Sequence, residues 1–207
     1  MLPLGEVSRV VAPGASRRIG LLGGSFNPAH KGHYRVSTLA LRWLALDEVW
    51  WLVSPQNPLK EDTDMQPLKY RLSSARTYAQ HARIRVTDIE AELSSARSYD
   101  VIRYLCQAYP RCRFVWMIGA DNFVQIPKWY RWRDIFSTVP IAVFGRPPFT
   151  YASLTGQAAN AYSAYRIPQH MTHVIAVQKP PAWIFLWMSR DSTSATAIRG
   201  QTAEVES

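Results

Sequence analysis

The sequence predicts an α/β fold, a doubly wound parallel sheet with helices on both faces. Three observations carry this. Short continuous apolar runs alternate with stretches of helical period along most of the chain. The first strand-to-helix turn is built from glycine, asparagine and proline. The composition also suits a sizeable core: 47% of the 207 residues are hydrophobic and 12% aromatic. A chain of this length is roughly one domain and can bury on the order of 70% of its unfolded surface.

Residues 1–17, with Gly5, Pro13, Gly14 and Ser16, read as a loose, flexible extension, so a single domain is expected over 18–207. A strand is predicted from Arg18 to Leu22, broken by Gly23-Gly24-Ser25-Phe26-Asn27-Pro28. A helix follows from about His33, because Val36, Leu39, Ala40, Trp43 and Leu44 fall on one stripe. Glu48 to Val53 reads as a strand buried on both faces, and Pro55-Gln56-Asn57-Pro58 as a loop. Leu68, Leu72, Ala75 and Ala79 mark the next helix, Ile84-Arg85-Val86 a short strand, and Val101, Ile102, Leu105 and Tyr109 a further helix. Phe114 to Ile118 is a continuous apolar strand that stops at Gly119, and Ile141 to Phe144 is another. The stretch from Thr150 to Gln169, rich in Ala, Tyr, Ser and Gln, shows no clear period. No internal repeat is present.

Several classes can be set aside. Cys106 and Cys112 have neither a second cysteine pair nor a histidine at metal-ligand spacing, which argues against structural zinc. Two unconstrained thiols suit a reducing compartment, and a soluble cytoplasmic protein is expected. The longest apolar run, Ala182 to Met188, is strand-sized, so no membrane partner is expected. Ser16-Arg17-Arg18 has the twin arginines of an export signal, but glycines and Asn27-Pro28 interrupt the apolar region such a signal needs. Lys plus Arg outnumber Asp plus Glu by 24 to 15, a net charge of +9 that favours anionic partners. The basic residues are scattered, with no run of five, and no nucleic-acid partner is expected.

Two constellations bear chemistry. The first is Gly23-Gly24-Ser25-Phe26-Asn27-Pro28-Ala29-His30-Lys31-Gly32-His33. In a doubly wound sheet, ligands bind outside the carboxyl ends of strands, where this turn must lie. Paired glycines admit close approach of a phosphate, and the helix that follows points its free amides and positive dipole end there. Two imidazoles three apart near a helix start lie within reach of one polyphosphate. Alone, Gly-Gly is also compatible with a plain turn, being neither the dinucleotide fingerprint nor the P-loop; the His-x-Gly-His ending is far more specific. The second is Ser194-Ala195-Thr196-Ala197-Ile198-Arg199, helix-starting hydroxyls followed by an arginine that can hold an anion seated on their amides. By itself this is an N-cap and a surface arginine; its weight comes from pairing with the first.

Taken together, these segments resemble the nucleotidyltransferase superfamily of the His-x-Gly-His type. Ser54-Pro55-Gln56-Asn57-Pro58-Leu59-Lys60, Ile118-Gly119-Ala120-Asp121-Asn122 and Trp129-Tyr130-Arg131-Trp132 are similar to one branch, the bacterial nicotinate-nucleotide adenylyltransferases. The five motifs are collinear from Arg18 to Arg199. The resemblance implies a Rossmann-like nucleotidyltransferase fold. It also implies transfer of the adenylyl group of ATP to nicotinate mononucleotide in NAD biosynthesis, releasing pyrophosphate, with Mg²⁺ delivered by ATP. It gives His30, His33 and Arg199 as catalytic phosphate contacts. Gly23, Gly24, Ser25, Phe26, Gly119, Asp121, Ser194, Thr196 and Ile198 would bind the nucleotide, with Asp121 on ribose hydroxyls. Asn57, Lys60, Tyr99, Trp129, Tyr130 and Arg146 would bind the second substrate, Trp129 and Tyr130 stacking on its pyridine ring. Ser98-Tyr99-Asp100-Val101 departs from the family's Ser-Tyr-Thr at Asp100. No dedicated metal site is implied, and monomer or homo-oligomer is left open.

Three other readings compete. A sister adenylyltransferase acting on phosphopantetheine or nicotinamide mononucleotide is disfavoured by the 54–60 loop and Trp129-Tyr130. A class I aminoacyl-tRNA synthetase fragment would carry a Lys-Met-Ser-Lys-Ser loop, which is missing. A basic nucleic-acid-binding module would bind with steep salt dependence and needs a reading motif the sequence lacks.

Overall fold

A computed structural model describes residues 16–55, 65–93, 95, 97–145 and 147–188. Seven strands form one all-parallel sheet: β1 Arg18–Gly24, β2 Glu48–Val53, β3 Ile84–Thr87, β4 Arg113–Gly119, β5 Ile141–Phe144, β6 Arg166–Ile167 and β7 Trp183–Leu186. Their spatial order is β3-β2-β1-β4-β5-β7-β6. The chain runs outward from β1 to β3 on one side, then returns to lay β4 against the other side of β1. The topological switch point therefore lies between β1 and β4, where Ile19 pairs with Phe114 and Leu22 with Met117.

Alternating side chains on each strand feed two separate cores. Ile19, Leu21, Trp50, Leu52, Trp116, Ile118 and Val143 point to one face, Leu22, Val49, Trp51, Val53, Val115, Met117 and Ala142 to the other. Both faces are covered, which is why Glu48–Val53 reads as an apolar run and why all its residues are buried. Helices α1 Lys31–Trp43 and α2 Leu68–Tyr78 cover the second face through Ala40, Leu41, Leu44, Leu72 and Ala75. After the short α3 Ile89–Glu92, helices α4 Ser98–Ala108, α5 Ala120–Gln125 and α6 Trp132–Thr138 cover the first face with Val101, Ile102, Leu105, Phe123, Ile135 and Phe136.

The predicted elements are present, with instructive differences. β1 continues two residues beyond Leu22, so Gly23 and Gly24 belong to the strand, pairing with Leu52 and Val53. α1 begins at Lys31 rather than near His33, because His30 caps it. The unreadable stretch resolves into α7 Thr150–Thr155, α8 Gln157–Ala161 and β6, pieces too short to establish a period. At the amino ends of the strands the buried Glu48 carboxylate takes hydrogen bonds from Arg17, Trp50 and Arg85, so its charge is paired where it leaves water. Cys106 and Cys112 are both free thiols. Among the described residues no helix is long and apolar enough to cross a membrane.

Candidate active site

The turn after β1 runs over Ser25–His30, and one residue sets its course. Phe26 holds a left-handed backbone (φ 48°), unusual for a side chain of its size. Its buried ring stacks on Trp51 at 5.0 Å and lies 4.6 Å from the ring of His33. Packing of that ring offsets the backbone strain. Gly23 is required for a packing reason: a Cβ there would stand 2.7 Å from the indole of Trp116.

His30 and His33 meet at the start of α1, with ring centroids 3.9 Å apart. His30 is the N-cap, its Nδ1 accepting from the Gly32 amide at 3.0 Å, while the His30 amide donates to His33 Nδ1 at 3.2 Å. This is a capping box in which imidazoles replace the usual hydroxyl and carboxylate. An accepting ring nitrogen carries no proton, so in the neutral rings both N–H groups sit at Nε2. Beneath them the Trp51 indole donates to Ser37 Oγ at 2.7 Å, and that hydroxyl donates to the His33 carbonyl at 2.8 Å. The arrangement offers imidazole donors beside the positive end of a 13-residue helix, a setting suited to a polyphosphate.

Across the switch point, β4 ends at Gly119 and α5 begins at once, with Asp121 in its first turn. The Asp121 carboxylate leans over Gly119, so that a Cβ at 119 would collide with Oδ1. Adjacent strand ends thus present the histidine pair on one side and Asp121 on the other.

Tyr99, Trp129 and Tyr130, expected at the second substrate, come from two segments far apart in sequence. Tyr99, buried in the first turn of α4, and Tyr130, half exposed after the turn at Ile126–Lys128, stand edge-on with centroids 6.4 Å apart. Each is covered by an arginine of the other segment: Arg97 lies 4.5 Å over Tyr130, and Arg131 lies 4.3 Å over Tyr99. Arg131 has a left-handed backbone (φ 53°) and is held by Asp134 at 2.6 Å. Trp129 packs against the core of the first face. Asp100 accepts from Ser95 Oγ at 3.1 Å, which ties its carboxylate to its own segment. Asn57, Lys60, Arg146, Ser194, Thr196, Ile198 and Arg199 lie outside the described residues, as does most of the 1–17 extension.

Two residues near the strand ends were not picked out from the sequence. Arg71 is 1% exposed and gives four hydrogen bonds, all to backbone carbonyls. Its signal was available: 71 shares the stripe of Leu68, Leu72 and Ala75, and a charge on a buried stripe is rare. Glu90 is buried in α3; burial pushes its carboxyl up to about 7, against a hydrogen bond with Ser54 that favours ionisation. Its element, four residues long, has too few positions to show a period. Among the described residues no cluster of three or more His, Cys, Asp or Glu is placed to hold a metal ion.

Comparison with known proteins adds the lineage. The sequence model of the cytidylyltransferase-like family matches residues 21–201, most of the chain. A protein of Parvibaculum lavamentivorans, described as a probable nicotinate-nucleotide adenylyltransferase, is 48% identical over 182 residues, covering 88% of this chain and 90% of its own. The chain belongs to the cytidylyltransferase-like family and, within it, to the nicotinate-nucleotide adenylyltransferases. A second such relative, from Ruegeria sp. (strain TM1040), is 42% identical and spans 89% of this chain and 97% of its own. In fold, the chain resembles the Plasmodium falciparum nicotinic acid mononucleotide adenylyltransferase complexed with NaAD. The TM-score is 0.66 and the identity 16%, over 89% of this chain and 83% of that one. The span matched by the family model includes the histidine turn, Asp121 and the paired tyrosines.

Proposed function

We infer that this member of the family transfers the adenylyl group of ATP to nicotinate mononucleotide. The observation that carries the reading is the histidine pair at the carboxyl end of β1, beside the start of α5 at the β1/β4 switch point. A 5′-phosphate oxygen of the mononucleotide attacks the α-phosphorus of ATP in line. The bond from that phosphorus to the bridging oxygen breaks, and pyrophosphate leaves with the electron pair. No covalent enzyme intermediate is needed, so the protein acts by holding two anions together and stabilising charge on the transferring group.

His33 and His30 donate from Nε2 to the ATP phosphates, and the first amides of α1 add their dipole. Gly23, Gly24, Ser25 and Phe26 form the floor beneath those phosphates, and Asp121 accepts from the ribose hydroxyls. By family resemblance Ser194, Thr196 and Arg199 are assigned to the β- and γ-phosphates, and Ile198 to the nucleotide. Tyr99, Trp129 and Tyr130 receive the pyridine ring, with Asn57, Lys60 and Arg146 on the second substrate. Mg²⁺ delivered with ATP would supply charge neutralisation on the departing pyrophosphate. The donors at the histidine turn are N–H groups, complementary to phosphate oxygens rather than to a cation. A cytoplasmic location is part of the same reading, and two free thiols accord with a reducing compartment.

The test is pyrophosphate release from Mg-ATP with nicotinate mononucleotide, nicotinamide mononucleotide and phosphopantetheine as acceptors. Turnover with the first, with nicotinate adenine dinucleotide as product, is expected. Efficient use of phosphopantetheine instead, or of no acceptor, overturns the reading.

A further inference from the structure

The buried guanidinium of Arg71 reaches three separate pieces of chain. Nη1 donates to the carbonyls of Ser25 and Ser54, both at 2.6 Å; Nη2 donates to the Pro55 carbonyl and Nε to the Gln66 carbonyl, both at 2.8 Å. Ser25 belongs to the histidine turn, Ser54 and Pro55 follow β2, and Gln66 precedes α2. Two further bonds join the same pieces. The Ser54 amide donates to the Gly24 carbonyl at 2.9 Å, and the Gln66 amide donates to Asn27 Oδ1 at 3.2 Å. The end of β2 and the lead into α2 are therefore fastened to the turn that carries His30 and His33.

We propose that Arg71 is a positioning residue that fixes the turn after β1, the end of β2 and the lead into α2 as one unit, and so sets where His30 and His33 stand against the phosphates. The proposal rests on the adenylyl-transfer reading above. Three features support it. A buried charge is retained only where it is compensated, and here the compensation comes wholly from carbonyls whose positions matter to the site. The planar fork of arginine directs N–H groups along several fixed lines at once, and a lysine ammonium, a single donor atom, cannot reach all four carbonyls. In-line transfer between two bound anions is sensitive to misplacement on the order of 1 Å, which costs about a hundredfold in rate.

The experiment compares Arg71→Lys with Leu72→Ala, a core truncation of the neighbouring buried residue on the same helix. Turnover by the unaltered protein tests the adenylyl-transfer reading. Hydrogen exchange at the Ser54 amide reports the tie to Gly24 whether or not that reading stands. In Arg71→Lys, kcat is expected to fall at least tenfold, with a smaller change in KM for ATP and at least tenfold faster Ser54 exchange. In Leu72→Ala, at similar loss of Tm, kcat is expected within about threefold of the unaltered protein, with Ser54 exchange unchanged relative to global stability. Normal kcat in Arg71→Lys overturns the proposal, as does an equal fall in Leu72→Ala. Should Arg71→Lys not fold, Asn27→Ala decides: a drop in kcat exceeding the change in KM for ATP, with faster exchange at Gln66, supports the tie, and normal kcat overturns it.

Discussion

At the residue scale, His33 serves two ends, and its replacement should separate them. Its Nδ1 holds the His30 amide, so His33→Ala removes half of the capping box, a loss of about 1 kcal/mol. Its Nε2 is assigned to phosphate, and loss of one transition-state donor typically lowers kcat by roughly a hundredfold or more. ATP binding should weaken less, since the helix amides remain; steady-state kinetics on the folded variant, with a thermal melt, measure both. Glu90 gives a pH-dependent prediction. Its carboxyl ionises near pH 7 in the fold, against about 4.5 for an ordinary glutamate. The folded chain holds that proton more tightly than the unfolded chain. The associated stability is therefore full below about pH 4.5 and is lost as pH rises through about 7. At about 1.4 kcal/mol per tenfold change in proton affinity, the loss amounts to about 3 kcal/mol at most. Glu90→Gln keeps a partner for Ser54 but cannot ionise, so its Tm should match the parent near pH 4.5 and exceed it by several degrees at pH 8. A parent whose Tm does not decline between those pH values contradicts the burial of the Glu90 carboxyl.

At the element scale, the proposed acceptor site puts the choice of acceptor where α4's first turn approaches the segment after the Ile126–Lys128 turn. Stacking on Trp129 or Tyr130 treats a nicotinate and a nicotinamide ring alike. Discrimination must come from donors and charge around the ring substituent, and here Arg97 and Arg131 cross between the segments over Tyr130 and Tyr99. An amide NH₂ set against donors leaves polar groups mispaired at about 1–3 kcal/mol each. Two such clashes correspond to about a hundredfold at 1.36 kcal/mol per factor of ten. Nicotinate mononucleotide should accordingly be used at least ~100-fold more efficiently than nicotinamide mononucleotide, read as kcat/KM at saturating Mg-ATP. Asp100, the departure from the family pattern, is held by Ser95 Oγ, consistent with that direction. A ratio near one, or one favouring the amide, would place the Asp100 carboxylate against the ring.

At the scale of the whole molecule, a charge of +9 raises the question of nucleic acid. Phosphate-driven binding needs a concentrated basic face, whereas several arginines here are spent internally: Arg71 on carbonyls, Arg17 and Arg85 on Glu48, Arg18 on Asp47. Duplex DNA binding should be weak, non-specific and abolished by moderate salt. Sequence-selective submicromolar binding at physiological ionic strength, measured by titration of labelled duplex, contradicts this and favours the nucleic-acid alternative.

The sequence by itself determined the layer architecture and the histidine turn of the candidate site. Strands such as Glu48–Val53 are buried on both faces, so apolar runs mark them directly, and helices α1, α2 and α4 show their stripes because each covers one face of the sheet. His30 and His33 were legible because a helix start brings residues three apart together without help from the rest of the fold. Tertiary structure decided the remainder. That Gly23 and Gly24 end a strand depends on β2 lying alongside, and the ordering of Thr150–Gln169 depends on packing of pieces too short to show a period. The meeting of Tyr99 with Tyr130 depends on α4 and α6 sharing a face. Arg71 reaches Ser25 across 46 positions of sequence, a contact that exists because α2 packs on the same face as the turn after β1. Periodicity records which side of an element is buried; strand order decides what that side touches, and in this protein it is strand order that brings the two halves of the site together.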